Sequence, residues 1–169
     1  MLCDSNCSPS HSFCSTYTFI KSIFYFNLFT MPRLLHTMIR VGNLDRSIKF
    51  YTERLGMRLL RKWDVPEDKY TLVFLGYGTE KEGTVLELTY NYGVSSYKHD
   101  EAYGHIAIGV DDVKALVEDC RKHDVPIDYE DETGFMAFVV DPDGYYIELL
   151  DEKKMVEKSE RQMKEQGTA

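Results

Sequence analysis

Two histidines and two glutamates, His36, Glu87, His105 and Glu148, occur in a pattern that could hold a metal ion. Each histidine lies in an apolar run, Leu34-Leu35-His36-Thr37-Met38-Ile39-Arg40-Val41 or Gly104-His105-Ile106-Ala107-Ile108-Gly109-Val110. Each glutamate lies in a near-identical phrase, Val85-Leu86-Glu87-Leu88 or Tyr146-Ile147-Glu148-Leu149. Taken singly, such a histidine reads as a core residue and such a glutamate as an edge residue facing water. A carboxylate buried in a strand without a partner costs on the order of several kcal/mol, so a partner is expected if these strands are internal. Two imidazole nitrogens and two carboxylate oxygens on one ion leave one or two positions open in a five- or six-coordinate shell, which suits Ni²⁺, Co²⁺, Zn²⁺ or Mn²⁺. A closed structural zinc site would prefer cysteines, and open positions allow catalysis.

The elements that must carry these residues form an internal repeat. The first half opens with the Leu34–Val41 run, turns at Gly42-Asn43 and enters an amphipathic helix near Asp45, with Ile48, Phe50, Tyr51 and Leu55 as its apolar positions. Gly56 ends that helix, and strands follow at about 57–63, 70–76 and 84–91. The second half repeats the order: a strand at Gly104–Val110, a helix over Asp112–His123, and strands at Ile127–Glu130, Phe135–Val140 and Tyr145–Leu150. The last two are joined by an Asp141-Pro142-Asp143-Gly144 turn. The expected class is α+β, built from two tandem βαβββ modules at about 33–93 and 102–151 of a domain spanning 31–152. Residues 153–169 read as a charged tail, helical or disordered.

A net charge of -8 and a pI near 5.1 argue against nucleic acid or an anionic membrane as partner, because both require a basic patch. Cys3, Cys7 and Cys14 crowd the N-terminus and leave Cys120 alone in the body, which implies a reducing, cytoplasmic setting. Residues 1–30 are Ser-, Cys- and Phe-rich and nearly uncharged, and composition changes at Met31-Pro32-Arg33. The stretch is expected to be disordered or an upstream artefact, with Met31 as the working start and organelle targeting as the other reading.

Five phrases carry a family resemblance: Leu35-His36-Thr37-Met38-Ile39-Arg40-Val41, Phe50-Tyr51 through Leu55-Gly56-Met57, Leu86-Glu87-Leu88-Thr89-Tyr90-Asn91, Tyr103-Gly104-His105-Ile106, and Asp141-Pro142-Asp143-Gly144-Tyr145 to Glu148. From Met31 to about Glu152 the chain resembles glyoxalase I, or lactoylglutathione lyase, of the vicinal oxygen chelate superfamily. The resemblance implies that fold, with its mixed curled sheets, and the metal ligands His36, Glu87, His105 and Glu148. It also implies a homodimer with active sites at the interface, His36 and Glu87 coming from one subunit and His105 and Glu148 from the other. A histidine at position 36 and the lack of long insertions resemble the shorter bacterial type, which implies one Ni²⁺ per site, with Zn²⁺ or Co²⁺ as alternatives.

The reaction so implied isomerises the hemithioacetal of methylglyoxal and a thiol to the S-D-lactoyl thioester, which detoxifies methylglyoxal. A proton moves from C1 to C2, and a divalent ion would stabilise the charge that develops on the two neighbouring oxygens. By resemblance Glu148 is the base, and Glu87 either shuttles the proton on the other face or serves only as a ligand.

The thiol pocket is expected to depart from that of glutathione-using animal relatives. Where they place basic residues for the thiol's carboxylates, this chain reads His99-Asp100-Glu101-Ala102-Tyr103 and Asp128-Tyr129-Glu130-Asp131-Glu132-Thr133. Arg40 and Asn91 remain, and the resemblance implies that they could hold a γ-glutamyl carboxylate. With Glu101 and Tyr103 at the other end, this suits a thiol capped by a polyamine, trypanothione or glutathionylspermidine, and resembles the trypanosomatid enzymes; glutathione stays possible. The other readings are a non-enzymatic small-molecule binding or resistance protein, or a metal-dependent dioxygenase, of the same fold. His99 and His123 read as surface residues, and Trp63 and Phe138 as core or pocket wall.

Overall fold

The computed structural model describes residues 32–168; the expectations for residues 1–30 fall outside them. The chain forms β1 (His36–Arg40), α1 (Leu44–Lys49) with a π-helical continuation (Phe50–Arg54), β2 (Arg58–Val65), β3 (Tyr70–Gly76) and β4 (Val85–Asn91). It then repeats the outline as β5 (His105–Val110), α2 (Val113–Lys122), β6 (Ile127–Glu130), β7 (Met136–Val140) and β8 (Tyr146–Asp151), and closes with α3 (Glu152–Gln166). Two four-stranded sheets result, ordered β1-β4-β3-β2 and β5-β8-β7-β6. In each, the first and last strands of the module run parallel side by side, and the other pairs are antiparallel. The expected α+β pair of βαβββ modules is therefore what the chain adopts, with both sheets left open.

Alternation along the strands decides which face is covered. Ile39, Val73, Leu75, Leu86 and Leu88 of the first sheet and Ile108, Ala137, Val139, Ile147 and Leu149 of the second turn into one core with Tyr51, Val113, Val117 and Cys120 from the helical segments. The opposite faces of the two sheets carry the histidines and glutamates. Side-chain caps start the three α-helices of the described residues: Asn43, Asp112 and Asp151 accept from the backbone N–H three residues on.

The first helix differs from the single amphipathic helix expected over that stretch. After Lys49 it widens into a π-turn in which the Leu55 N–H donates to the Phe50 carbonyl, and Gly56 ends it at φ 69°. Widening a helix by one residue per turn re-aims its side chains, and here Tyr51 is fully buried, its hydroxyl donating to Asp141 Oδ2 at 2.7 Å.

That contact belongs to a clamp between the modules. The 141–145 turn accepts from the first module through Asp143, which takes the Gly42 N–H at 2.8 Å and the Ser47 hydroxyl at 2.7 Å. Tyr145 Oη exchanges hydrogen bonds with both the N–H and the carbonyl of Arg40, at 3.2 and 3.0 Å. Gly42 is required here, since a Cβ at that position would lie 2.0 Å from the Ser95 carbonyl oxygen.

Asp141 is 4% exposed and accepts from Tyr51 Oη and from the N–H groups of Asp143 and Tyr145. Burial pushes its carboxyl above the ordinary range, and these hydrogen bonds pull it only partly back. Asp141→Ala leaves those buried donors unpaired and is expected to cost about 3 kcal/mol or more in urea unfolding. The raised pKa also fixes a sign. The carboxyl favours the folded state below its unfolded pKa of about 3.9, and this contribution is lost as pH rises through the higher folded value. Asp141→Asn, which cannot ionise, should therefore gain stability relative to the parent as urea midpoints are taken upward through that window.

Candidate metal centre

In β1 the open face carries His36, Met38 and Arg40, while Ile39 is buried. Parallel pairing sets Met38 beside Glu87 and Arg40 beside Thr89. His36 Nε2 lies 3.2 Å from Glu87 Oε2. The second sheet repeats this with Ala107 beside Glu148, and His105 Nε2 lies 3.0 Å from Glu148 Oε2. The imidazoles are 44% and 43% exposed and the carboxylates only 12% and 15%, so each pair is a shallow, solvent-facing nitrogen–oxygen donor set. That chemistry fits a divalent cation of the imidazole- and carboxylate-binding kind.

The pairs do not meet within one chain. Among the described residues no group of three or more His, Cys, Asp or Glu side chains is placed to hold an ion. The repeat thus builds two separate pairs, each one histidine and one glutamate, and the four candidate donors do not converge within the single chain.

The two glutamates are held differently. Thr89 Oγ1 donates to Glu87 Oε1 at 3.1 Å, whereas the polar contact shown for Glu148 is the one to His105. The place equivalent to Thr89, two residues after the glutamate, is Leu150 in the second module. Glu87 therefore has a second polar partner on the strand, which Glu148 lacks among the described residues. The pairing of a threonine with a leucine at matching places was visible in the repeat, and comparing the residues that flank the glutamates would have exposed it.

Arg40 and Asn91 share the first sheet's open face with Glu87. The Arg40 side chain has no ion-pair partner among the described residues, and Asn91 Nδ2 donates to Tyr97 Oη at 2.9 Å. Tyr103 and Asp128 border a hollow of about 260 Å³ together with Gly104, His105, Phe138 and Tyr146, while Glu101 is exposed on the neighbouring turn. The acidic loop is less uniform than its sequence suggests. Glu130 pairs with Arg121, and Asp131 accepts from Thr133 and the Phe135 N–H of its own loop, which holds its carboxyl below the usual range; Asp128 is the acid that faces the His105 hollow.

Other expectations need correction. His99 is not a plain surface residue: its ring lies 3.9 Å from that of Tyr145, nearly perpendicular, and its buried Nε2 has no hydrogen-bond partner. Of the two readings of Trp63, core falls away, since it is 58% exposed, and its register with Leu72 and Thr89 puts it on the open face of the first sheet, where it can serve as pocket wall. Phe74 received no role from the sequence, yet it lies in register with Glu87. A hollow of about 790 Å³ lies elsewhere, between α1 with its π-turn, the end of α2 and the 141–142 turn, and is lined by none of the four donors.

Residues 33–149 match the family described as glyoxalase/bleomycin resistance protein/dioxygenase superfamily. A probable lactoylglutathione lyase of Vibrio cholerae is 54% identical over 127 residues, 72% of this chain and 92% of that one. The lactoylglutathione lyase of Escherichia coli O157:H7 is 53% identical over 126 residues, 72% of this chain and 93% of its own. Among solved structures, the trypanothione-dependent glyoxalase I of Leishmania major superposes with a TM-score of 0.82 at 84% identity, over 82% of this chain and all of that one. With its two open sheets, its doubled His–Glu pair and these relatives, the chain belongs to the glyoxalase/bleomycin resistance protein/dioxygenase superfamily and, within it, to the glyoxalase I (lactoylglutathione lyase) family.

Proposed function

We propose that the chain acts as a homodimeric, metal-dependent glyoxalase I that isomerises the hemithioacetal of methylglyoxal with a polyamine-capped thiol, trypanothione or glutathionylspermidine. The lyase reading is carried by the relatives, which are lactoylglutathione lyases over nearly their whole length rather than binding proteins or dioxygenases. The dimer is supported by one observation above all: each module completes half of the donor set and no more. A second subunit whose open face covers the first would unite His36 and Glu87 of one chain with the partner's counterparts of His105 and Glu148. Burial of exposed apolar residues on those faces, Met38 at 40%, Trp63 at 58% and Tyr146 at 43%, would favour such an association.

A divalent ion, Ni²⁺ by preference and Zn²⁺ or Co²⁺ otherwise, would supply Lewis-acid stabilisation of charge on the two adjacent oxygens. The remaining work belongs to side chains. Glu148, with one polar partner, is the base for C1–H. The proton Glu148 takes from C1 is given back at C2, and Glu87, tied to Thr89, is the better-fixed ligand, shuttling the proton only at the opposite face of the substrate.

For the thiol, Arg40 supplies an unpaired cation for a γ-glutamyl carboxylate, with Asn91 beside it. At the other end Asp128 and Tyr103, with Glu101 nearby, offer acceptors to a protonated polyamine. The Leishmania relative is trypanothione-dependent, in keeping with this. No described helix is long and apolar enough to cross a membrane, and we assign the enzyme to the cytoplasm on its cysteine pattern.

The test is a comparison of initial rates, read from thioester absorbance, for methylglyoxal with trypanothione and with glutathione, before and after chelation. We expect a kcat/KM at least about tenfold higher with trypanothione, as charge complementarity worth about 1.4 kcal/mol would give, and loss of activity on chelation that Ni²⁺ restores best. Preference for glutathione would remove the polyamine reading and leave the lyase intact; indifference to chelation would remove the metal.

A further inference from the structure

In each module an aromatic ring stands where strand register puts it directly across from the metal-capable glutamate, Phe74 opposite Glu87 and Phe138 opposite Glu148. The centroid of Phe74 lies 5.8 Å from that of His36 with the planes at 79°, and that of Phe138 lies 5.2 Å from that of His105 at 78°. Both fall within the range favoured for perpendicular aromatic pairs, about 4.5–7 Å.

The surroundings of the two rings differ. Arg61, held by Glu80 through bonds of 2.6 and 3.3 Å, lays its guanidinium carbon 3.4 Å from the centroid of Phe74. The residue in register with Phe138 is Tyr129. That the imidazole nevertheless meets its phenylalanine at nearly the same angle in both modules shows that the pairing does not depend on one local environment.

A ligating imidazole has to present one nitrogen in a fixed direction. Usually an acceptor for the N–H of the other ring nitrogen fixes that direction. Among the described residues neither His36 nor His105 has a protein acceptor at Nδ1; the polar contact of each ring runs from Nε2 to its own glutamate.

We propose that Phe74 and Phe138 are positioning residues that orient the two imidazoles for a divalent cation, in the role a hydrogen-bond acceptor fills in other metal sites. The inference rests on the metal reading above. Phe74 is 3% exposed and covered by Arg61, whereas Phe138 is only partly buried, so Phe74 has the more closely packed surroundings of the two rings.

The experiment uses the full chain with Co²⁺ as probe. Its affinity is measured by competition with a chromophoric chelator, and its visible absorption reports the ligand field. Phe74→Leu and Phe138→Leu should each weaken Co²⁺ about tenfold, the usual scale for losing an orienting partner, and should alter the absorption; the double variant should weaken it further. Phe138→Tyr, which keeps a ring at a partly exposed position, should retain the parent's affinity and spectrum. Val73→Ala serves as control. It removes apolar volume from a fully buried, core-facing position on the same strand, and should lower the unfolding temperature without moving Co²⁺ affinity.

Leucine variants with the parent's affinity and spectrum overturn the proposal, as does Val73→Ala if it weakens Co²⁺ equally, because a loosened fold would then suffice. Should Phe74→Leu fail to fold, Phe138→Leu decides alone. A parent protein that takes up no Co²⁺ at all would instead remove the metal reading itself.

Discussion

Two inactive variants of this chain should make an active enzyme when combined. A chain carrying His36→Ala with Glu87→Ala keeps its second half-site, and one carrying His105→Ala with Glu148→Ala keeps its first. Alone, each homodimer has no complete donor set at either site. In a mixed dimer one site receives both damaged halves, but the other receives His105 and Glu148 from the first chain and His36 and Glu87 from the second. Each mixed dimer has one of two sites intact, so the isolated mixed species should show about half the parent's kcat per dimer, and the unsorted pool from equal expression, half of it mixed, about a quarter. The measurement is kcat per dimer after co-expression, with the mixed species isolated through two different affinity tags. If no activity returns, the ligands do not come together across the interface.

The second large effect concerns Glu148. Glu148→Gln keeps the side chain's shape and one oxygen donor but cannot accept the C1 proton. The kcat should fall about 10³-fold, within the range general-base catalysis supplies, while Co²⁺ affinity should fall only about tenfold, as for other perturbed donor sets. Glu87→Gln should reverse the emphasis: the carboxylate fixed by Thr89 is lost, metal binding suffers more, and excess metal recovers much of the rate. A Glu148→Gln enzyme restored by excess metal would show that Glu148 is a ligand and nothing more. If both variants lost rate equally at saturating metal, the proton would be handled by the pair together.

The acids of the 128–132 loop differ in what they touch. Glu130 and Asp131 are engaged by Arg121 and by their own loop, so a polyamine would be read chiefly through Asp128 and the 100–103 turn. From sequence those carboxylates are equivalent. Hydrogen bonding and ion pairing within the fold make them unequal.

Much of the architecture was legible in the chain because strand and helix periods are local properties. The strand runs, the α2 stretch and the Gly56 stop all appear where alternation, capping residues and glycine place them. The doubling of the outline also singled out His36, Glu87, His105 and Glu148 before any distance was known, because equivalent strands of a repeat present equivalent faces. What the sequence could not determine depends on contacts between residues far apart in it. The π-turn carries Tyr51, whose hydroxyl meets Asp141 ninety positions away, and the Asp141–Tyr145 turn reads locally as a mere connection although it clamps β1 and α1 of the other module. Phe74 and Phe138 look like ordinary apolar strand residues until register sets each opposite a glutamate and beside an imidazole. Only the tertiary structure decided that these four side chains stand as two separate His–Glu pairs, because strand pairing brings together residues within a sheet while the shared core lies on the opposite faces of both sheets.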